Sequence, residues 1–139
     1  MVTQDLIILA VVSLVSWHLW DKFRPKRVYI VDDSPHDRML LKANLGVRNC
    51  VIEYYSSLDG IGWEFLKRRP DAVIIDYYLS GKTKGDELLK FCDDNSIKAL
   101  LVTGHEGDIL GVDNSRIVRK TAKKSYYDAI ENFIKEAIA

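Results

Sequence analysis

The strongest constraint on this chain is where its apolar runs stop. VYIVDDSP, residues 28–35, carries a strand-forming run straight into two adjacent aspartates, Asp32 and Asp33. Ser34 and Pro35 then suit a helix start, as N-cap and first helical residue. The same punctuation recurs. AVIID (Ala72–Asp76) ends on an aspartate, KALLVT (Lys98–Thr103) on a threonine and RIVRK (Arg116–Lys120) on a lysine, while CVIEYY (Cys50–Tyr55) is a further apolar run. Helical patterns separate them, with apolar residues at helical spacing. They run from about Pro35 to Leu45 with Gly46 as the stop, from Ser57 to the basic KRRP stretch, and around Asp86–Asp93. SYYDAIENFIKEAI closes the chain as an amphipathic helix with Tyr126, Ile130, Phe133, Ile134 and Ala137 inward. Strands alternating with helices predict βαβ units and a parallel sheet buried on both faces.

In such a sheet, chemistry gathers at the carboxyl ends of the strands, near the point where strand order reverses. Those ends would hold Asp32, Asp33, Asp76, Thr103 and Lys120. Carboxylates crowded in one pocket raise one another's pKa unless a cation neutralises them. An oxygen-only ligand set with room for water favours Mg²⁺ over zinc or copper.

In this set and order the residues resemble the receiver domain of response regulators, the phosphoacceptor half of two-component signalling. VYIVDDS is similar to that family's first strand and acidic pair. PDAVIID is similar to its third strand, ALLVTG to the strand bearing the switch hydroxyl, and IVRK to the one bearing the conserved lysine. The resemblance covers residues 26–139 and implies a flavodoxin-like, doubly wound five-stranded parallel sheet of order 2-1-3-4-5 with about five helices. It implies Asp76 as phosphoacceptor, with Mg²⁺ held by Asp32 (mostly through water), Asp33, Asp76 and the backbone carbonyl of Tyr78. Thr103 and Lys120 would bind the phosphoryl group. A sensor histidine kinase or a histidine phosphotransfer protein would be the donor, and a protein effector the target. The domain would assist its own phosphorylation without being an enzyme in the ordinary sense, and no DNA-binding output domain is expected.

The sequence departs from that family's pattern in places. Ile117 stands where a switch aromatic is common, and Thr121 replaces the proline that usually follows the lysine through a cis bond. The cost of a cis bond without proline, about 2.5–4 kcal/mol, means either stored strain or a different path. The segment between Thr103 and Lys120 leaves room only for a short fourth helix, Glu106–Leu110. These departures keep a second reading open, a phosphorylation-independent interaction module on the same fold. A phosphatase using Asp76 is a third, for which no separate general acid is present.

Residues 1–25 differ from the rest. Leu6–Trp20 has no formally charged residue and as a helix would be roughly 22 Å long, or about 28 Å counted from Val2, against a hydrocarbon core of roughly 30 Å. Trp17 and Trp20 fall where an interfacial belt would lie, and Lys22, Arg24, Lys26 and Arg27 follow. That flank predicts a single-pass inner-membrane anchor, in contact with lipid through residues 2–23, with the receiver on the cytoplasmic side. Self-association or docking on its own domain, with the protein in the cytoplasm, are the alternatives. Lysines and arginines number 20 and acids 20, a balance that speaks against a nucleic-acid partner. Cys50 and Cys92 lack metal or redox spacing and read as small hydrophobes.

Overall fold

The structure, a computed structural model, describes residues 2–57, 68–79, 84–104, 107, 109 and 111–139. Its core is a parallel sheet of β1 (Lys26–Val31), β2 (Cys50–Tyr55), β3 (Ala72–Asp76), β4 (Lys98–Thr103) and β5 (Ile117–Arg119), in the order β2-β1-β3-β4-β5. The predicted strand order is therefore observed. The α-helices among the described residues are α1 (Val2–Phe23), α2 (Pro35–Asn44), α3 (Gly85–Asp94) and α4 (Lys124–Ile138). The helix expected after Ser57 lies outside the described residues, as does most of the short Glu106–Leu110 segment.

The three central strands are buried almost throughout because each supplies side chains to both faces. Tyr29, Val31, Val73, Ile75 and Leu101 pack with Leu88, Leu89 and Cys92 of α3. Val28, Ile30, Ala72, Ile74, Leu100 and Val102 pack on the other face with Leu41 of α2 and Tyr126, Ile130 and Ile134 of α4. The period of two along each strand sorts the residues between the layers. Full burial of each Val, Ile or Leu contributes about 1.5–3 kcal/mol, so this double layer carries the stability of the domain. Cys92 belongs to it, and burial pushes its thiol up to about 12, consistent with a structural rather than a reactive cysteine.

Register brings the carboxyl ends of the strands level. Val31 pairs with Tyr55 on one side and Ile75 on the other, and Ile75 pairs with Leu101. The ladder continues one step past the strands. The Asp32 amide donates to the Tyr55 carbonyl at 3.0 Å and the Tyr77 amide to the Val102 carbonyl at 2.9 Å.

Two local expectations need correction. Helix α2 ends with Leu45 in an extended conformation, not with a left-handed Gly46. The Gly46 amide instead donates to Glu131 Oε1 of α4 at 2.5 Å, which anchors the turn. Lys120 lies just beyond β5 and opens a 3₁₀ turn, Lys120–Ala122. The described peptides are all trans. The chain after Lys120 takes a different path, turning through Lys123 at φ 52°, a left-handed conformation that a non-glycine residue adopts only under tertiary constraint.

Helix α1 runs 22 residues, a length of ~33 Å, longer than the apolar stretch alone suggested because it continues to Phe23. Its 18-residue window Thr3–Trp20 has none of its residues buried against the rest of the chain. Among the described residues, docking of this helix on its own domain is therefore not observed. Pro25 stops it, since a proline cannot extend the ladder. The Arg24 guanidinium then grips Asp71 through two bonds, of 3.1 and 2.7 Å.

Candidate functional site

Sheet order reverses between β1 and β3, so the segments that follow them diverge and leave a crevice. Asp32 and Asp33 enter it from the end of β1 and Asp76 from the end of β3. Single carboxylate oxygens of these three residues lie within 4.8 Å of one another. Asp32 is 1 % and Asp76 5 % exposed, which sets them apart from ordinary solvated strand-end acids. Only charge compensation or hydrogen bonding makes such burial tolerable.

Lys120 provides part of that compensation. Its Nζ donates to Asp32 Oδ2 at 2.8 Å, to Asp37 Oδ2 at 2.8 Å and to Asp76 Oδ2 at 3.2 Å. Three donors thus meet three carboxylates. Burial alone would lower the ammonium pKa, but the bonds to Asp32 and Asp37 and the surrounding negative charge hold it well above its ordinary value. The Asp76 pKa rises too, which in an acid disfavours the charged form. Desolvation is the largest influence and, despite the opposing attraction of Lys120, raises its carboxyl to about 6, with repulsion from Asp32 adding to the rise. One ammonium therefore does not fully neutralise the cluster, and the donor set, all carboxylate oxygen, suits a hard divalent cation.

The backbone arranges the rest. Asp32 Oδ1 accepts the Ser34 amide at 2.9 Å, and the Ser34 hydroxyl accepts the Asp37 amide at 3.2 Å, capping α2. Arg38 reaches back to the Asp32 carbonyl at 2.5 Å. The Tyr78 amide donates to Asp76 Oδ1 at 3.3 Å, and the Tyr78 side chain is half exposed with its ring edge-on to Tyr77. Gly85 allows the returning chain to press against this end of β3. A Cβ there would collide with the Asp76 carbonyl and lie 2.8 Å from Tyr77 Cα, while the Gly85 amide donates to the Tyr77 carbonyl at 3.0 Å. Thr103, fully buried at the end of β4, pairs in register with Arg119, one residue before Lys120. Ile117 pairs with Leu101 and packs on the α3-side core.

Sequence reasoning missed one residue of this cluster. Asp37 lies in the first turn of α2, where an acid reads simply as a partner for the helix dipole; only the fold shows that it faces Lys120. Tyr126 was read as core, and it is buried, but its hydroxyl has no hydrogen-bond partner among the described residues.

No family model matches the sequence, and no curated protein matches it. Solved structures do match. One is the response regulator TrrA of Thermotoga maritima in complex with Mg²⁺–BeF, 23% identical, with 81% of this chain and 98% of that chain covered at a TM-score of 0.65. The response regulator domain of Thermotoga maritima CheB is 20% identical over 83% of this chain and 97% of that one, at a TM-score of 0.62. The receiver domain of a LuxO-type repressor from Vibrio parahaemolyticus is 19% identical over 82% and 90%, at 0.64. Sheet order, helix placement and these likenesses agree: the chain has the receiver-domain fold of response regulators.

Proposed function

We propose that this protein is a phosphoacceptor that signals through protein contacts, with Asp76 as the acceptor. The observation that carries the reading is the pairing of a buried, partly uncompensated Asp76 with Lys120 in a crevice that also holds Asp32 and Asp33. Phosphoryl transfer asks a protein mainly for positioning and charge neutralisation, and this set is equipped for both. An Asp76 carboxylate oxygen would attack the phosphorus of a phosphohistidine that carries a proton on its other ring nitrogen, and as the P–N bond breaks an acyl phosphate is left on Asp76 and a neutral imidazole on the donor. Lys120 would move from Asp76 to a phosphoryl oxygen, and the Thr103 hydroxyl would donate to another. Asp32, Asp33 and Asp76, with the Tyr78 carbonyl, would hold Mg²⁺, which supplies charge neutralisation of the transferring group. The Mg²⁺–BeF complex of TrrA is in keeping with that cofactor.

Helix α1 would anchor the domain, residues 26–139, to the inner membrane with the site on the cytoplasmic side. A histidine kinase or phosphotransfer protein would be the donor. A phosphorylation-independent interaction module is the competing reading, favoured by Ile117 in place of a switch aromatic.

The deciding experiment is the intact mass of the protein after incubation with acetyl phosphate, with and without Mg²⁺. The expected result is a gain of one phosphoryl group that requires Mg²⁺ and disappears in Asp76→Asn. No gain with any donor, including a phosphorylated histidine phosphotransfer protein, makes the interaction module the reading to keep.

A further inference from the structure

The end of the sheet opposite Asp76 carries a second concentration of charge, of the other sign. Lys26 opens β1 and pairs in register with Cys50, two residues after Arg48. Arg68 and Arg69 lead into β3, and Lys135 comes from α4. These residues are scattered in sequence, yet they converge where α1 leaves the domain.

Two grooves flank that exit. One, of about 720 Å³, is lined by Lys22, Lys26, Arg48 and Lys135 beside Phe23. The other, of about 430 Å³, is lined by Arg24, Arg27, Arg68 and Arg69 together with Trp17 and Trp20. Two acids beside the second groove are already engaged. Asp71 holds Arg24 and the Arg27 amide, and Glu53 accepts from Arg27 at 3.0 Å with Arg68 at 3.8 Å. Lys26, Arg48 and Lys135 form no ion pair among the described residues.

We propose that this end of the domain docks on the anionic phospholipid headgroups of the bilayer that α1 enters. The inference rests on the anchor reading and adds to it a specific lipid-binding face. Charge complementarity is its first support, since the Arg48 guanidinium and the Lys26 and Lys135 ammonium groups, which form no ion pair among the described residues, match phosphate oxygens. Continuity is the second. The stacked Trp17 and Trp20 rings, 5.7 Å apart, line the same groove as the arginines, at the level where aromatic side chains sit between hydrocarbon and headgroups. Phe23, 74% exposed, is the last residue of α1 before the basic grooves. Docking here turns the carboxyl ends of the strands, with Asp76, away from the membrane and toward soluble partners.

The test uses the full chain reconstituted into vesicles of phosphatidylcholine alone or with phosphatidylglycerol. Flotation reads the anchor, and backbone amide exchange over residues 46–50 and 135–139 reads the docked face. The expected result is flotation with both lipids, with exchange slowed only on anionic vesicles and restored by high salt. Each basic residue near an anionic surface is worth about fivefold, so a double Arg48→Gln, Lys135→Gln variant should lose about 25-fold of the docked population. Equal exchange on the two lipids, with flotation intact, overturns docking and leaves the anchor standing. Absence of flotation on neutral vesicles, with salt-sensitive binding to anionic ones, overturns the anchor and upholds the basic face. No association with either vesicle overturns both. Unchanged exchange in the double variant overturns the assignment of the face, and an unfolding curve of the variant that matches the wild type checks independently that the fold is intact.

Discussion

At the scale of single residues, Asp76 is held in a state that the fold opposes. Burial is the main reason that its carboxyl rises from 3.8 to about 6. A raised acid binds its proton more tightly in the folded chain than in the unfolded one, so folding is favoured as the proton is taken up. The resulting cost is fully present above about 6 and disappears as the pH falls toward 3.8. Its size is at most ~3 kcal/mol, with the attraction of Lys120 already counted. In metal-free protein, thermal stability should therefore increase as pH is lowered from 7 to 5, and Asp76→Asn should remove that dependence while raising Tm at pH 7. A pH series of unfolding curves for both proteins checks this; a wild type that only loses stability over that range refutes it.

At the scale of elements, the contact that matters most outside the site joins α1 to the turn before β3. Desolvation would raise the Asp71 carboxyl, but the Arg24 guanidinium and the Arg27 amide bind it and bring it below its ordinary value. The sign is opposite to that of Asp76. A lowered acid stabilises the fold above 3.8 and loses that contribution as the pH falls through its folded value. Asp71→Asn should destabilise the neutral protein by about 1–3 kcal/mol, because it leaves a partly buried guanidinium with a poorer acceptor. It should also flatten the loss of stability below pH 4. Denaturant unfolding at pH 7 and pH 3.5 measures both effects. Since Arg24 follows α1 directly, the same variant should loosen the link between helix and domain, seen as faster amide exchange at residues 24–27.

At the scale of the whole molecule, the chain has two parts that treat their apolar residues in opposite ways. The domain buries its apolar runs on both faces of a sheet, whereas α1 exposes its own, with Leu6 at 60% and Leu14 at 68%. A continuous exposed apolar surface of that length is costly in water and is of the kind that a bilayer or another copy covers. The full chain should remain in the membrane fraction after alkaline extraction, and a chain beginning at Arg24 should be soluble. Recovery of the full chain as a discrete soluble oligomer would favour self-association of α1.

Much of this architecture was legible in the order of residues. Apolar runs of strand length alternating with helical spacing specify a doubly wound parallel sheet, because buried strands must have helices on both sides. Asp32, Asp33, Asp76, Thr103 and Lys120 could be named because a strand end is a local property, visible as the point where apolar residues stop. Other features depend on atoms far apart in sequence. The partnership of Asp37 with Lys120, 83 residues away, the Gly46–Glu131 bond in place of a glycine cap, and the path through Lys123 all answer to neighbours that the linear pattern does not contain. The convergence of Arg48, Arg68, Arg69 and Lys135 around the exit of α1 is of the same kind. Hydrophobic periodicity acts along the chain and determined the sheet. Electrostatic partnership acts through space, and only the tertiary structure decided which charges meet.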